Sequence, residues 1–186
     1  KRRPLQHFVG AGKWDDAAIR KKMCREVAAE MGSADGVLIL DGSGFQKAGP
    51  ESVGTQRQWC GRLGKEEQCQ VGEFLAYASR GSVALVGAAL YLPKWWAADK
   101  ALRAQCHVPK SITFKTGWRL AADMVFGSGR LLPHRWIVGD EIYGRPTELR
   151  DLFHQHGEQY LLEAHCDAKV RLARGGGWTR ADAWTR

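Results

Sequence analysis

Two short apolar runs, each followed closely by an aspartate, constrain the fold of this chain most strongly. Residues 37–40 are all Val, Leu or Ile and precede Asp41, while residues 136–138 are followed by Gly139 and Asp140. A continuous apolar run of this length is typical of a strand that is buried on both faces. An aspartate at the end of such a strand is costly to bury unless something compensates its charge. The pattern therefore predicts a sheet with acidic side chains at the ends of two buried strands.

The rest of the chain supplies longer strands and helices around these two runs. Helical spacing of apolar residues predicts helices over 14–31, 116–127 and 146–156. Strand patterns are predicted over 69–79, 82–92 and 160–164. The order helix, strand, strand, strand, helix, strand, helix, strand indicates an α/β fold with a mixed β-sheet flanked by helices.

The segments between these elements are predicted to be irregular. Gly42, Ser43 and Gly44 predict a turn directly after the first strand, and the polar residues 51–66 predict a long connection. Residues 1–13 and 93–109 show no clear periodicity and are also predicted as non-regular segments.

Composition excludes several classes of protein. A chain of 186 residues is long enough for one domain, and its 44% hydrophobic and 26% charged residues exclude a disordered chain. No apolar stretch reaches the length of a membrane span, so no membrane partner is expected. The formal net charge of +8 favours a polyanionic partner such as nucleic acid, with a merely basic surface as the alternative.

The distribution of charge and motifs suggests three regions. Residues 1–35 form a basic N-terminal helical segment, residues 36–165 form the core of the fold, and residues 166–186 begin a downstream or insertion segment. The N-terminal segment could reach DNA through its cations, which are Lys1, Arg2, Arg3, Lys13, Lys21 and Lys22. No signal-peptide pattern is present and the five cysteines have no paired spacing, which suggests free thiols in a reducing cytoplasm.

Asp41 and Asp140 are the candidate metal ligands. Carboxylates held on neighbouring strands suit Mg²⁺ or Mn²⁺, which prefer oxygen ligands, and two such ions can promote phosphodiester displacement. Each aspartate also has a structural interpretation: Asp41 could cap the predicted glycine turn and Asp140 could cap the segment that follows it. The spacing of the two residues does not decide between these interpretations.

An ordered series of short motifs resembles a known family, the DDE-class transposases of bacterial insertion sequences. More narrowly, it resembles the subgroup whose first motif reads acidic-acidic-Thr-Gly-Phe. The matching motifs are Gln6-His7-Phe8, Trp14-Asp15, Asp41-Gly42-Ser43-Gly44-Phe45-Gln46-Lys47, Ser52-Val53-Gly54, Arg57-Gln58, Cys69-Gln70-Val71-Gly72, Phe74-Leu75-Ala76-Tyr77-Ala78, Leu90-Tyr91-Leu92-Pro93, Trp96 and Gly139-Asp140-Glu141-Ile142-Tyr143-Gly144. The last of these motifs is the most specific.

The resemblance implies a ribonuclease H-like fold and a function. Asp41 would be the first catalytic carboxylate and Asp140 the second, at the ends of the first and fourth strands of the core, and both would ligate Mg²⁺ or Mn²⁺. The implied reaction is attack of water on DNA, followed by attack of the freed 3′ hydroxyl on target DNA. The implied partners are the transposon ends, the target DNA and further copies of the chain, in a bacterial cytoplasm.

Two departures from the family pattern keep other functions open. Gly42 stands where the subgroup has an acidic residue, and Ser43 stands where it has Thr. The family also has a third acid, a glutamate on a downstream helix, and neither Asp167 nor Asp182 is assigned to that role. The chain is therefore expected to lack the third acid. The alternatives are a non-catalytic DNA-binding protein derived from a transposase and a DNA nuclease with the same core.

Three cations are candidate DNA contacts. Arg57, Arg62 and Lys65 fall in the predicted connection after the first strand, where they could hold phosphate oxygens beside the carboxylates. A solvated basic loop is the alternative interpretation.

Overall fold

The computed structural model describes residues 3–12, 14–171 and 176–184. In this part of the chain the helices are α1 (Arg3–Ala11), α2 (Asp16–Met31), α3 (Lys94–Ala98), α4 (Lys100–Gln105), α5 (Gly117–Phe126), α6 (Glu141–Gly144) and α7 (Thr147–Gln155). The strands are β1 (Val37–Gln46), β2 (Gln56–Cys60), β3 (Lys65–Ser79), β4 (Ser82–Leu90), β5 (Trp136–Gly139), β6 (Tyr160–Leu162), β7 (Lys169–Val170) and β8 (Thr179–Arg180).

Some residues of the predicted terminal regions lie outside the described part. These are Lys1, Arg2 and Lys13 of the basic N-terminal segment, and positions 172–175 and 185–186 of the downstream segment.

The main sheet is mixed, as the sequence predicted. Its strand order is β2-β3-β1-β5-β6, and β4 pairs with the C-terminal half of β3. β1 runs antiparallel to β3 and parallel to β5, and β6 runs parallel to β5. The parallel pairs put the carboxyl ends of β1, β5 and β6 at the same edge of the sheet. The predicted α/β class with a mixed sheet and packed helices is therefore confirmed.

One face of the sheet carries the hydrophobic core. Leu38 and Leu40 of β1, Leu75 of β3 and Ile137 of β5 are buried on this face together with side chains of α5 and α7. Alternate residues of a strand point to opposite faces, so Leu38 and Leu40 lie on the same side. We call this side the helix-covered face.

The opposite side, which we call the open face, carries Ile39 and Asp41 of β1 and their cross-strand neighbours. Its apolar side chains are largely solvent-accessible at the sheet margins, where Val83, Leu85 and Leu161 are 68%, 55% and 70% exposed. Asp41 thus lies on the less covered side of the sheet.

The turn predicted at Gly42–Gly44 is wrong, because β1 continues through it to Gln46. Pairing with β3 extends as far as Gln46 opposite Cys69. Gly44 fits there because a Cβ at this position would lie 2.8 Å from the Sγ of Cys60. The glycines that suggested a turn instead permit close packing of neighbouring strands.

The predicted connection over 51–66 is also wrong in large part. It contains β2, a 3₁₀ turn over Gly61–Leu63 and the first residues of β3. Cross-strand pairing with β3 stabilises the polar strand β2, in which alternate side chains are partly buried.

Helices occur in segments for which the sequence predicted no regular structure. α1 lies in the N-terminal segment, and it is followed by a contact in which the Trp14 indole donates to the Phe8 carbonyl at 2.9 Å. α3 and α4 lie in the connection after β4, where the Asp99 side chain caps α4. α3 and α4 are short, so tertiary contacts provide most of their stability and they leave little periodic signal in the sequence.

Candidate active site

Asp41 lies inside β1 and not at its end as the sequence predicted, because pairing with β3 carries β1 on to Gln46, whereas Asp140 directly follows β5. β1 and β5 pair in parallel from Val37 opposite Trp136 to Leu40 opposite Gly139, and each aspartate is the next residue along its strand. Both line one cavity of about 520 Å³. The structure therefore brings the two predicted site residues together on adjacent strands.

Glu163 lines the same cavity, and the sequence reasoning did not identify it. It directly follows β6, and its backbone N–H donates to the Gly139 carbonyl at 3.0 Å. Its position after a third apolar parallel strand was the signal that could have found it, since Asp41 and Asp140 also closely follow apolar runs of parallel strands. The cavity thus has three acidic lining residues, from β1, β5 and the end of β6.

The structural role that the sequence left open for Asp140 is present. Its Oδ1 accepts a hydrogen bond from the Ile142 N–H at 2.9 Å, which caps the four-residue helix α6. One carboxylate oxygen remains for another partner. Asp41 differs, since it is exposed and its side chain makes no hydrogen bond or ion pair with the described residues.

The side chains at this edge suit a divalent cation in part. Asp41 and Asp140 offer carboxylate oxygens, the ligands that Mg²⁺ and Mn²⁺ prefer. Within the described ranges, however, no group of three or more His, Cys, Asp or Glu side chains is arranged to hold a metal ion. The two other acids considered from the sequence are engaged elsewhere: Asp167 pairs with His165, and Asp182 pairs with Arg180 at 2.7 Å.

A buried acid–phenol pair lies beside the two aspartates on the helix-covered side. Glu73 of β3 stands opposite Gly42 of β1, and only 7% of it is exposed. The Tyr143 hydroxyl of α6 donates to Glu73 Oε2 at 2.5 Å. The sequence reasoning passed over both residues in this role, although a glutamate inside the predicted strand 69–79 was a visible signal.

The environment of this pair opposes ionisation. Burial raises the pKa of the Glu73 carboxyl, the Tyr143 hydrogen bond partly offsets that shift, and the charges of Asp140 and Asp41 raise it further. Burial is also the main cause that raises the pKa of Tyr143, followed by the charge of Glu73. The charges of Asp41 and Asp140 therefore act on both Glu73 and Tyr143.

Close packing holds the Glu73 carboxylate in place. A Cβ on Gly117 would lie 2.4 Å from Glu73 Oε1, and a Cβ on Gly42 would lie 3.5 Å from Oε2. Glycine at 117 is therefore the residue that leaves space for the carboxylate at the start of α5.

The three cations predicted as DNA contacts do not lie together in a loop. Arg57 is on β2, 3.7 Å from Glu66, and Lys65 begins β3, 3.2 Å from Glu67. Arg62 is in the 3₁₀ turn, with its guanidinium carbon 6.0 Å from the ring centroid of Phe45. Two of the three cations are thus partly neutralised, and a role in DNA binding stays a prediction for all of them.

Comparison with known families identifies the chain. A family model described as DDE superfamily endonuclease matches residues 1–176. No curated protein matches the sequence significantly. Throughout the described residues, every helix is too short or too polar to cross a membrane.

Proposed function

Because this chain belongs to the DDE superfamily endonucleases, we propose that it is a transposase catalytic domain of the bacterial insertion-sequence type. Its reaction would be metal-dependent hydrolysis of a phosphodiester at the transposon ends, followed by attack of the freed 3′ hydroxyl on a target phosphodiester, which joins the two DNAs and releases a 3′ hydroxyl of the target. The active form would be a homo-oligomer, because two transposon ends take part in one reaction.

The observation that supports this proposal is the placement of Asp41 and Asp140. Asp41 lies within β1 and Asp140 directly follows the adjacent parallel strand β5, both line one cavity, and the mixed sheet is consistent with a ribonuclease H-like DDE fold. In the proposed site these two carboxylates hold Mg²⁺ or Mn²⁺, which supplies Lewis-acid stabilisation of charge on a phosphodiester.

The surrounding residues have defined tasks in this proposal. The α6 cap fixes one oxygen of Asp140, which restricts the rotation of the carboxylate. The rigid pairing of β1 with β5 sets the spacing of the two acids, since both belong to regular strands or directly follow one. Ile39 and Leu161 line the same cavity and supply an apolar wall beside the carboxylates.

Conservative substitutions of the two acids test the proposal. In the full-length protein, Asp41→Asn and Asp140→Asn should each reduce Mg²⁺-dependent nicking of supercoiled plasmid by at least about 100-fold, since each removes an anionic metal ligand. DNA binding measured in EDTA should stay within about twofold of wild type, because neither substitution removes a cationic side chain that could contact DNA. Asp151→Asn, at an exposed position of α7, is the matched control and should cleave normally.

The assay also separates the alternative functions. Plasmid nicking at the wild-type rate in Asp41→Asn or Asp140→Asn would refute the assignment of that residue. Cleavage without joining to a second DNA would favour a nuclease with the same core. A wild-type protein that binds DNA but never cleaves it would favour a non-catalytic DNA-binding protein. The lack of a three-ligand metal group among the described residues is the observation in favour of that last candidate.

A further inference from the structure

We propose that Phe45, Phe74 and Arg62 form a site for one unstacked nucleobase of the DNA strand that is bound at Asp41. We call these three residues the aromatic site. This inference rests on the proposed function, because it assumes that the strand reaches Asp41. It adds a specific contact that the two carboxylates do not provide.

The register of the sheet places the aromatic site beside Asp41. Asp41 stands directly opposite Phe74 in the antiparallel β1–β3 pair, and directly opposite residues share a face. Phe45 lies four residues beyond Asp41 on β1 and therefore also on the open face. Four residues of a β-strand span about 13 Å, so a DNA strand held at Asp41 passes within reach of both rings.

Gly72 allows the two rings to lie across the sheet. A Cβ at Gly72 would be 2.9 Å from Cζ of Phe74 and 3.7 Å from Cε2 of Phe45. The Phe74 ring therefore extends over Gly72 toward Phe45, and the ring centroids are 6.0 Å apart in an edge-to-face arrangement. Phe45 remains 40% exposed, which leaves part of an aromatic surface available to a ligand.

Arg62 adds a planar cation to the same place. Its guanidinium carbon is 6.0 Å from the Phe45 centroid, and none of the described acidic residues forms an ion pair with it. Arg62 and Phe45 also line a shallow cavity of about 220 Å³ between β1 and the 3₁₀ turn. A guanidinium here can stack on a base or bind a phosphate oxygen.

This combination suits a nucleobase better than another protein surface. Every base has a π-face that stacks on aromatic side chains and on arginine, while the neighbouring phosphate meets the cation. A stack of this kind requires the base to leave its duplex neighbours, so the site should prefer unpaired DNA. The proposed nucleotide therefore belongs to a frayed or single-stranded segment next to the cleaved bond.

A binding experiment in EDTA tests the inference without relying on catalysis. Anisotropy of a fluorescent single-stranded oligonucleotide is compared with that of the blunt duplex of the same sequence. Phe45→Ala should weaken single-strand binding about tenfold, the size expected for loss of one stacked base, and change duplex binding by less than about twofold. Phe45→Trp should preserve single-strand binding. Arg62→Ala should weaken it and make it less sensitive to salt.

Phe114→Ala is the matched control. Phe114 is 37% exposed and forms an edge-to-face pair with Tyr91 at 6.4 Å, so it resembles Phe45 in exposure and contact. It precedes α5, which packs on the helix-covered face. Single-strand binding that is unchanged in Phe45→Ala, or equally weakened in Phe114→Ala, would overturn the inference. A fall in oligomer size with intact DNA binding would assign the rings to a protein interface and would also overturn it.

The outcome is distinguishable from failure of the proposed function. Asp41→Asn should bind the single strand normally in this assay and fail only in cleavage. If Asp41→Asn still cleaves DNA while Phe45→Ala loses single-strand binding, the catalytic assignment is wrong and the nucleobase contact is retained.

Discussion

The Tyr143 hydroxyl donates a 2.5 Å hydrogen bond to the buried carboxylate of Glu73, and this bond joins the helix after Asp140 to the strand beside Asp41. Tyr143 follows Asp140 by three residues, and Glu73 pairs with Gly42, the residue after Asp41. The bond is therefore a polar link between the two segments that carry the proposed metal ligands. It lies on the helix-covered side, where neither residue is accessible to a large ligand.

Glu73 should make stability depend on pH. Its pKa in the folded protein lies above the ordinary value of 4.5, because burial penalises the charged form. Below 4.5 the carboxyl is protonated in both states, and as pH rises the unfolded chain loses its proton first. The free energy of unfolding should therefore fall as pH rises through the folded pKa, by at most about 1.4 kcal/mol per pH unit.

Glu73→Gln should remove this contribution. The difference in unfolding free energy between Glu73→Gln and wild type should grow in favour of the variant from pH 4.5 upward, as measured by urea denaturation. Glu30→Gln, at an exposed position of α2, should show no such trend. A difference that is constant with pH would contradict the proposed environment of Glu73.

Tyr143→Phe should destabilise the fold at neutral pH. The substitution leaves the Glu73 oxygen buried without its donor, which costs about 1–3 kcal/mol. Tyr160→Phe is the control, because the half-buried Tyr160 hydroxyl makes no hydrogen bond with a described residue. Chemical denaturation of both variants measures the difference, and equal losses would show that the Tyr143–Glu73 bond is not the cause.

Two substitutions of Asp140 should distinguish its role as a helix cap from the role of its negative charge. Asp140→Asn keeps an oxygen that can accept from the Ile142 N–H, while Asp140→Ala loses the cap and about 0.5–2 kcal/mol of stability. Both variants lose the negative charge and should lose any rise in melting temperature with Mg²⁺. Thermal denaturation with and without Mg²⁺ checks both effects. A magnesium-dependent rise that survives in Asp140→Asn would exclude this carboxylate as a ligand.

Gly144→Ala should displace the backbone at Glu163, a residue that lines the cavity. A Cβ at this position would lie 1.9 Å from the Glu163 carbonyl oxygen, and no side-chain rotation relieves a clash with backbone. We expect a loss of about 1–3 kcal/mol, together with a displaced end of β6 and weaker Mg²⁺ binding. Gly49→Ala, which meets open space, should be nearly neutral in the same denaturation and titration measurements.

The two apolar runs determined much of the fold and the central pair of the site. Residues 37–40 and 136–138 are apolar, and both runs form strands as predicted, although only one face is buried: Leu38, Leu40 and Ile137 are in the core, whereas Trp136 is 39% exposed. The placement of Asp41 and Asp140 on adjacent strands was decided by the pairing of β1 with β5. The family resemblance implied the catalytic role of the two acids and the expected chemistry.

Tertiary structure decided the features that depend on cross-strand contact. Gly42 and Gly44 suggest a turn by local propensity, but pairing of β1 with β3 and packing on Cys60 keep them in a strand. The same pairing sets Glu73 beside Gly42 and Phe74 beside Asp41. Neither neighbour can be read from the sequence alone, because register depends on how two distant segments align.

The sequence by itself thus determined which two apolar runs form strands and which acids closely follow those runs. Only the tertiary structure decided what surrounds those acids: the Tyr143–Glu73 bond on one side, the Phe45 and Phe74 rings on the other, and Glu163 along the cavity. The physical reason is that burial is fixed by the chemistry of each side chain, whereas neighbours are fixed by the alignment of strands that are far apart in the chain.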